Sequence, residues 1–230
     1  MFLFFTQKNN KLILAAKEKD LHMKLYYSPG ACSLAPHIIL EDIAKPYEIE
    51  LVSTMDGSTQ KAEYLEINPK GRVPLLNDGE HIITEASAIM MYLAATNPEL
   101  NLIDNAPLPL ARTIEWMNWL ATIHAQVIAQ NWRAERFTDE EIAHKGIQKK
   151  GREYLIEICG QINNKIANTS WAVGDKYSIA DPYLLVFYRW GNRLGLNMRE
   201  YEHWTQHAEK MEKRNAVKSV LAVEGISLWE

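Results

Sequence analysis

The sequence YYSPGACSLAPH, residues 26–37, predicts how the N-terminal half of the chain folds. The two tyrosines are typical of a strand end, Ser28-Pro29-Gly30 favours a turn, and apolar residues from Leu34 onward recur at helical spacing. Cys32 is therefore expected where a strand passes into a helix N-terminus. Free backbone N–H groups there stabilise an anion, so we expect the thiol pKa of Cys32 to lie below its ordinary value. The alternative is a small, buried hydrophobic side chain.

The residues around this stretch predict a mixed α/β domain. A strand, a helix and a second strand follow one another, and this order implies a right-handed βαβ unit with a parallel strand pair. Asp78-Gly79 accepts positive φ and predicts a hairpin between two further strands. The predicted elements, in the order βαβαββα, are strand 24–27, helix 33–44, strand 47–51, helix 60–66, a strand near 72–76, strand 81–83 and a helix from 84 to about 97.

Beyond a linker near residues 101–109, the sequence has helical periodicity only. Thr138 and Glu141 match a capping box, and Ser178 with Asp181 resembles one, so the role of Asp181 is structural. The predicted helices are 110–133, 138–167, 183–193, 201–214 and 216–223. The predicted organisation is a poorly ordered N-terminal extension at 1–22, an α/β domain at 23–101 and an all-helical domain at 108–230.

Composition limits the classes of function. The 230 residues carry a formal net charge of -4, which gives no general attraction to nucleic acid or to an anionic membrane surface. No apolar run approaches the length of a membrane span, and residues 1–5 are too short for a signal sequence. The two cysteines, Cys32 and Cys159, suggest neither a disulfide framework nor a metal site. We expect a protein of the reducing cytoplasm.

Five motifs, in the right order, resemble those of the cytosolic glutathione S-transferases, specifically the bacterial beta class. They are YSPGACSL at 27–34, NPKGRVP at 68–74, TEA at 84–86, EWMN at 115–118 and SIAD at 178–181. The resemblance extends from residue 23 essentially to the end and includes AVEGI at 222–226. It implies a thioredoxin-like N-terminal domain, an all-helical C-terminal domain, a homodimer, and glutathione as co-substrate without a permanently bound cofactor.

The resemblance implies that the N-terminal domain binds glutathione through Arg72, Val73, Pro74, Glu85, Ala86 and Ser87. A cis Val73-Pro74 bond would leave the Val73 backbone free to pair with the cysteinyl unit of glutathione. The helix N-terminus at Glu85 and Ala86 would receive the γ-glutamyl carboxylate, and the Glu85 side chain would accept its ammonium group. The family usually has Ser or Gly where Ala86 stands, so one contact is lost, for which Ser87 is the candidate replacement.

The candidates for acting on the glutathione sulfur are Cys32, Ser33, Tyr27 and His124. Cys32 matches the family's cysteine, and the Ser33 hydroxyl is expected to donate toward a thiolate. Tyr27 is a second candidate for polarising the sulfur, with packing at the strand end as an equal alternative. Ala35 stands where a Cys-x-x-Cys motif has its second cysteine, so dithiol chemistry of the thioredoxin kind is not expected.

In the helical domain, beta-class enzymes use a histidine and a nearby asparagine that face the sulfur, which makes His124 and Asn118 candidates. An ungapped match puts His124 one residue early, a rotation of about 100° on a helix, so a structural histidine is the alternative. Arg133 and Arg136 either are solvated or help to neutralise glutathione across the dimer. The side chains that either line the acceptor pocket or belong to the core are Trp116, Trp119, Trp132 and Trp190.

These inferences predict an enzyme that activates the glutathione thiol for addition to an electrophilic, apolar acceptor. One alternative is a glutathione-dependent thiol reductase or peroxidase that uses Cys32 as the attacking thiolate. A second alternative is a catalytically weak protein that binds glutathione or an apolar ligand. The chemical identity of the acceptor has no signature in the sequence.

Overall fold

The computed structural model describes residues 23–230, and the extension predicted at 1–22 lies outside the described residues. The first part of the described chain is a four-stranded sheet with the strand order β2-β1-β3-β4. Its strands are β1 (Met23–Tyr27), β2 (Tyr47–Leu51), β3 (Leu75–Asn77) and β4 (Ile82–Thr84). Strands β1 and β2 are parallel, as the strand-helix-strand order predicts, whereas β3 runs antiparallel to both β1 and β4.

Three helices accompany the sheet: α1 (Leu34–Ile43), α2 (Ala62–Ile67) and α3 (Ala86–Thr96). The register places Leu25 of β1 opposite Ile49 on one side and Leu76 on the other, so one face of the sheet is apolar. Helix α1 covers this face and is itself almost entirely buried, because the helical part of the chain lies on its outer side.

The rest of the chain is helical. Its helices are α4 (Pro107–Ile123), α5 (Ala129–Trp132), α6 (Glu141–Lys165), α7 (Ala180–Arg193), α8 (Glu202–Glu212) and α9 (Asn215–Glu224). Helix α7 is buried along most of its length, as its apolar sequence predicts for a central helix. Helices α7 and α9 both pack against α1, and this contact sets the helical part against the turn that precedes α1. Over residues 23–230, no helix is both long enough and apolar enough to cross a membrane.

The helix predicted at 110–133 is interrupted. Helix α4 ends at Ile123, residues His124–Ile128 form a π-helical turn, and α5 completes the segment. A π-helical turn contains more residues than an α-helical turn and is frequent at functional sites. Side-chain directions after His124 therefore do not follow from α-helical spacing.

The capping box predicted at Thr138 is wrong. Helix α6 begins at Glu141, and the Thr138 hydroxyl accepts the Glu140 N–H at 3.1 Å, two residues along the chain. The hydroxyl therefore stabilises a turn before the helix, a common alternative for threonine in this position.

The capping arrangement predicted at Ser178 and Asp181 is confirmed. The Asp181 carboxylate accepts the Ser178 N–H at 2.8 Å, and the Ser178 hydroxyl accepts the Ala180 N–H at 3.3 Å. The same buried carboxylate accepts the Ala172 N–H at 2.7 Å and lies 2.9 Å from His207 Nε2. All of these contacts lie within the helical part, so the role of Asp181 is structural.

Candidate functional site

Residues 28–33, here called the Gly30 turn, carry the chain from β1 into α1. Ser33 holds this turn closed, because its hydroxyl accepts the Ser28 N–H and donates to the Ser28 carbonyl, both at 3.1 Å. The Ser33 side chain is fully buried. Its one proton is used inside the turn, so this geometry does not favour the predicted donation toward a thiolate, and that role stays a prediction.

Gly30 is held from both sides by the helical part of the chain. Its N–H donates to Glu224 Oε2 at 2.7 Å, and its carbonyl accepts the Trp190 indole N–H at 2.8 Å. Glu224 Oε1 lies 2.8 Å from His37 Nδ1, and both side chains are buried. Gly30 has a φ of 65°, and a Cβ atom there would overlap the Arg189 guanidinium. The turn is therefore fixed by residues that lie 160 and 194 positions away in the sequence.

Cys32 is buried, and its thiol donates to the Val73 carbonyl with an Sγ to O distance of 3.3 Å. Burial raises the pKa of the Cys32 thiol to about 12, while the backbone N–H groups beside the sulfur and the charge of Arg72 oppose this rise only in part. The prediction of a lowered pKa is therefore wrong. Helix α1 begins only at Leu34, and the loss of water outweighs the few N–H groups that face the sulfur.

The Val73-Pro74 bond is cis, as predicted. The loop before it is held by Tyr64 and Asn68, whose hydroxyl and amide groups donate to the Arg72 carbonyl at 2.7 and 2.6 Å. The Val73 carbonyl, expected to be free, accepts the thiol described above. A carbonyl oxygen has two lone pairs, so a ligand N–H could pair with it beside this thiol.

Glu85 stands at the N-terminus of α3 with a φ of 74°, a backbone conformation that residues other than glycine rarely adopt. Such outliers cluster at ligand sites. The Glu85 carboxylate lies 2.7 Å from Lys70 Nζ, and both side chains are largely exposed. Ala86, buried, and Ser87, half-buried, follow in the first turn of α3, where backbone N–H groups lack intrahelical partners.

The Gly30 turn, the cis bend and the N-terminus of α3 meet around one sulfur. The contact between Cys32 and Val73 joins the first two elements directly. Leu75, which follows Pro74, pairs with Thr84 in the sheet, so Glu85 and the N-terminus of α3 lie beside the cis bend. A carboxylate, a guanidinium and exposed backbone groups beside a sulfur site suit a small ligand that carries charges of both signs and a thiol.

His124 faces this region from the helical part. Its ring packs on Trp190 with the ring centroids 4.9 Å apart, and Trp132 meets Trp190 edge-on at 5.7 Å. Burial, with smaller contributions from the charges of Arg72 and Arg136, lowers the pKa of His124 to about 4. The imidazole is therefore neutral at physiological pH. The His124 N–H still bonds to the Leu120 carbonyl, so His124 continues the α-helical path of α4 and the π-helical turn changes the directions of the residues that follow.

Two family models match this chain. Residues 21–95 match the glutathione S-transferase N-terminal domain, and residues 136–215 match the glutathione S-transferase C-terminal domain. The glutathione S-transferase GstA of Escherichia coli O157:H7 is 35% identical over 210 residues, which are 89% of this chain and the whole of that protein. The chain belongs to the glutathione S-transferase family.

Solved structures of other glutathione S-transferases resemble it closely. A glutathione transferase homologue from Sulfitobacter with bound glutathione has a TM-score of 0.85 at 29% identity, covering 90% of this chain and 100% of that one. The beta-class glutathione S-transferase of Sphingomonas chungbukensis has a TM-score of 0.76 at 27% identity, covering 89% and 100%. The predicted resemblance to this family, and the predicted thioredoxin-like domain followed by a helical domain, are confirmed.

The aromatic candidates of this glutathione S-transferase separate into two groups. Trp116 belongs to the core, where its indole N–H donates to the Ala172 carbonyl at 2.7 Å. Tyr27 packs on His37 with ring centroids 5.6 Å apart, in agreement with a packing role. Trp132, 37% exposed, lies beside Trp190 near His124. Trp119 packs on Trp116 with the ring centroids 5.3 Å apart, so Trp132 is the tryptophan with an exposed side chain beside Trp190, and its role at an acceptor stays a prediction.

The structure leaves Asn118 exposed on α4, next to the buried Met117. Its predicted role in binding glutathione stays a prediction. The arginines Arg133 and Arg136 lie in the segment that follows α5, and Arg133 reaches across to the Thr54 carbonyl at 3.4 Å.

Sequence reasoning missed the part played by Glu224, Trp190 and Arg189 in holding the Gly30 turn. The sequence did contain one signal, which is that Glu224 lies in the largely apolar last helix. A carboxylate that is buried there requires hydrogen-bond partners. No sequence pattern identifies those partners, since they come from α1 and from the turn itself.

Proposed function

We propose that this glutathione S-transferase binds glutathione beside the Gly30 turn and adds its thiolate to an electrophilic, largely apolar acceptor, as in detoxification. The observation that carries this proposal is the meeting of the cis bend, the strained Glu85 backbone and the Gly30 turn around one sulfur. Each of these elements offers a group that complements a different part of the tripeptide.

The γ-glutamyl end of glutathione binds at the N-terminus of α3. Its carboxylate accepts the N–H groups of Ala86 and Ser87, and its ammonium group pairs with Glu85 in place of Lys70. The cysteinyl backbone pairs with Val73 beside Pro74, where the second lone pair of the Val73 carbonyl accepts the ligand N–H. Arg72 binds the remaining carboxylate end, and Asn118 stays a candidate for facing the glutathione sulfur.

Activation of the glutathione sulfur is electrostatic. Backbone N–H groups near Cys32 already lower the pKa of a sulfur at that place, and a ligand thiol that is less buried than Cys32 gains the same stabilisation with a smaller desolvation cost. The thiol proton passes to solvent, and neutral His124 donates its ring N–H to the thiolate that remains. The thiolate then forms a carbon-sulfur bond with the acceptor, and the leaving group departs with its electron pair.

Glu85→Gln tests the binding mode, because it keeps the size of the side chain and removes its charge. We expect the Kd for glutathione, measured by isothermal titration, to rise about tenfold, since a charge-assisted hydrogen bond is lost. Glu63→Gln, at an exposed position on α2, is the matched control and leaves the Kd unchanged. Absence of glutathione binding by the unmodified protein at millimolar concentration would refute the proposal.

A catalytically weak glutathione-binding protein is the second candidate. It is favoured by the Ser33 proton, which is used inside the Gly30 turn, and by the Val73 carbonyl, which accepts the Cys32 thiol. Titration with glutathione beside an aryl-halide conjugation assay separates the two, because tight binding without turnover selects this candidate. The reductase alternative is disfavoured, since a buried thiol with a pKa of about 12 is a poor thiolate source.

A homodimer is part of the proposal and is supported by exposed apolar side chains. Ile82 lies on β4, the edge strand of the sheet, and Leu108 and Ile114 lie on α4, all of them substantially exposed. Sedimentation equilibrium tests it, and a monomer at micromolar concentration contradicts it.

The proposal also assigns a role to each domain and a cellular compartment to the protein. We assign glutathione binding to residues 23–101 and the acceptor pocket to residues 108–230. Cys32 and Cys159 are both free thiols, as is usual in a reducing compartment, which supports a cytoplasmic location.

A further inference from the structure

Three arginines, here called the arginine cluster, lie on the segments that border the site. Arg72 precedes the cis bend, whereas Arg133 and Arg136 follow α5. Arg133 and Arg136 lie in one turn, because the Arg136 N–H donates to the Arg133 carbonyl at 2.9 Å, and burial together with the charges of Arg72 and Arg133 lowers the pKa of Arg136. Arg133 is fixed across the two halves of the chain by its hydrogen bond to the Thr54 carbonyl.

The arginine cluster has no paired counter-charge. Within residues 23–230, none of its three guanidinium groups forms an ion pair with a carboxylate. The nearby carboxylates are Glu135, exposed in the same turn, and Glu85, which lies 2.7 Å from Lys70. Positive charges that repel one another and lack a partner are typical of a site that receives an anion.

An aromatic wall lies beside the cluster. Trp132 directly precedes Arg133 and meets the Trp190 ring edge-on, and the His124 ring packs on the same indole. Because His124 is neutral, it adds no charge to the wall. A ligand that lies against Trp132 would therefore meet an apolar surface on one side and guanidinium groups on the other.

We propose that the acceptor carries a negatively charged group, such as a carboxylate or sulfonate, which Arg136 and Arg133 bind while its apolar part packs against Trp132. This inference rests on the proposed function and names the substrate class of the same site. The charged group takes no part in bond making. In the displacement of an aryl chloride, the glutathione thiolate forms the carbon-sulfur bond, chloride leaves with the electron pair, and the thiol proton passes to solvent.

A matched pair of acceptors tests the inference: 4-chloro-3,5-dinitrobenzoate and the neutral 1-chloro-2,4-dinitrobenzene, which have the same leaving group. In Arg136→Gln, we expect the ratio of kcat/KM for the benzoate to that for the neutral acceptor to fall about tenfold, because a charge-assisted hydrogen bond is lost. In the unmodified enzyme this ratio falls as salt is added. Arg112→Gln, which removes an exposed arginine paired with Glu115 on α4, leaves the ratio unchanged.

An unchanged ratio in Arg136→Gln would overturn the inference. A rise in the KM for glutathione with equal losses for both acceptors would also overturn it, because the arginines would then serve glutathione. If the unmodified protein turns over neither acceptor, the transferase proposal fails. The inference is then tested on its own by measuring the affinity of the protein for conjugates of glutathione. The ligands for this titration are the carboxylated and the neutral S-aryl glutathione. Tighter binding of the carboxylated ligand that is lost in Arg136→Gln supports the inference. Equal affinities for the two ligands reject it.

Discussion

The Gly30 turn and the arginine cluster lie on two sides of one site and are built in opposite ways. In the turn, the polar groups are buried and paired: Ser33 with the Ser28 backbone, and the Gly30 backbone with Glu224 and Trp190. In the cluster, the charged groups are near the surface and, within the described chain, unpaired by carboxylates. Buried, paired groups fix a geometry, whereas unpaired surface charges remain available to a ligand. The fold therefore sets the place of the sulfur, and in our proposal the rim residues select the acceptor.

The largest expected effect concerns the reactivity of Cys32. A thiol with a pKa of about 12 is thiolate in roughly one of 10⁴ molecules at pH 8, against roughly one in four for an ordinary thiol. In a Cys159→Ala background, we expect iodoacetamide to label folded Cys32 about 10³-fold more slowly than the same chain unfolded in denaturant. Labelling of the folded protein within tenfold of the unfolded rate would show that the Gly30 turn is not closed in solution.

The next effect is the stability that Glu224 contributes. Glu224→Ala leaves the Gly30 N–H and His37 without their buried partner, so we expect the free energy of unfolding to fall by about 2 to 5 kcal/mol. Glu224→Gln keeps an acceptor for Gly30 and should lose less. Glu209→Ala, at an exposed position on α8, changes stability by less than about 0.5 kcal/mol. Urea denaturation measures all three, and equal small losses would contradict a buried network.

A smaller effect is expected from Trp190→Phe, which keeps an aromatic ring beside His124 and removes the indole N–H that holds Gly30. The expected loss of stability is about 1 to 3 kcal/mol, accompanied by a rise in the KM for glutathione. Trp116→Phe also removes a buried indole hydrogen bond, but at Ala172, away from the turn. It should cost similar stability without changing this KM. A similar KM change in both variants would mean that the hydrogen bond to Gly30 has no special effect on the site.

The smallest expected effect concerns the pH dependence of kcat/KM, in which we expect no titration of His124. Because the pKa of His124 is about 4, its ring stays neutral from pH 5.5 to 8, and the ratio of kcat/KM between the unmodified enzyme and His124→Asn should be constant over this range. The lowered pKa also means that protonation of His124 is less favourable in the folded chain than in the unfolded chain. The contribution of His124 to the free energy of unfolding is therefore present above about pH 6.5 and is lost as the pH falls toward 4. An inflection near pH 6.5 that His124→Asn removes would show that this ring carries a proton during the reaction.

Local pattern was sufficient for most of the fold. Alternation in β2 and helical spacing after Leu34 predicted elements that the structure contains, because these periods follow from backbone geometry. The break at His124 was not predicted, because nothing in the local sequence distinguishes a π-helical turn from a continuous helix. The Thr138 capping box failed for a related reason, since threonine stabilises a turn as readily as a helix start.

The sequence by itself determined the order of elements, the turn at Ser28-Pro29-Gly30 and, through its motifs, the family to which the chain belongs. Only the tertiary structure decided the state of Cys32, the partners of Glu224 and the contact of Arg133 with Thr54. The pKa of a thiol, the satisfaction of a buried carboxylate and a hydrogen bond between distant segments depend on distance and on the exclusion of water. Both quantities are set by segments that meet in space although they lie far apart along the chain.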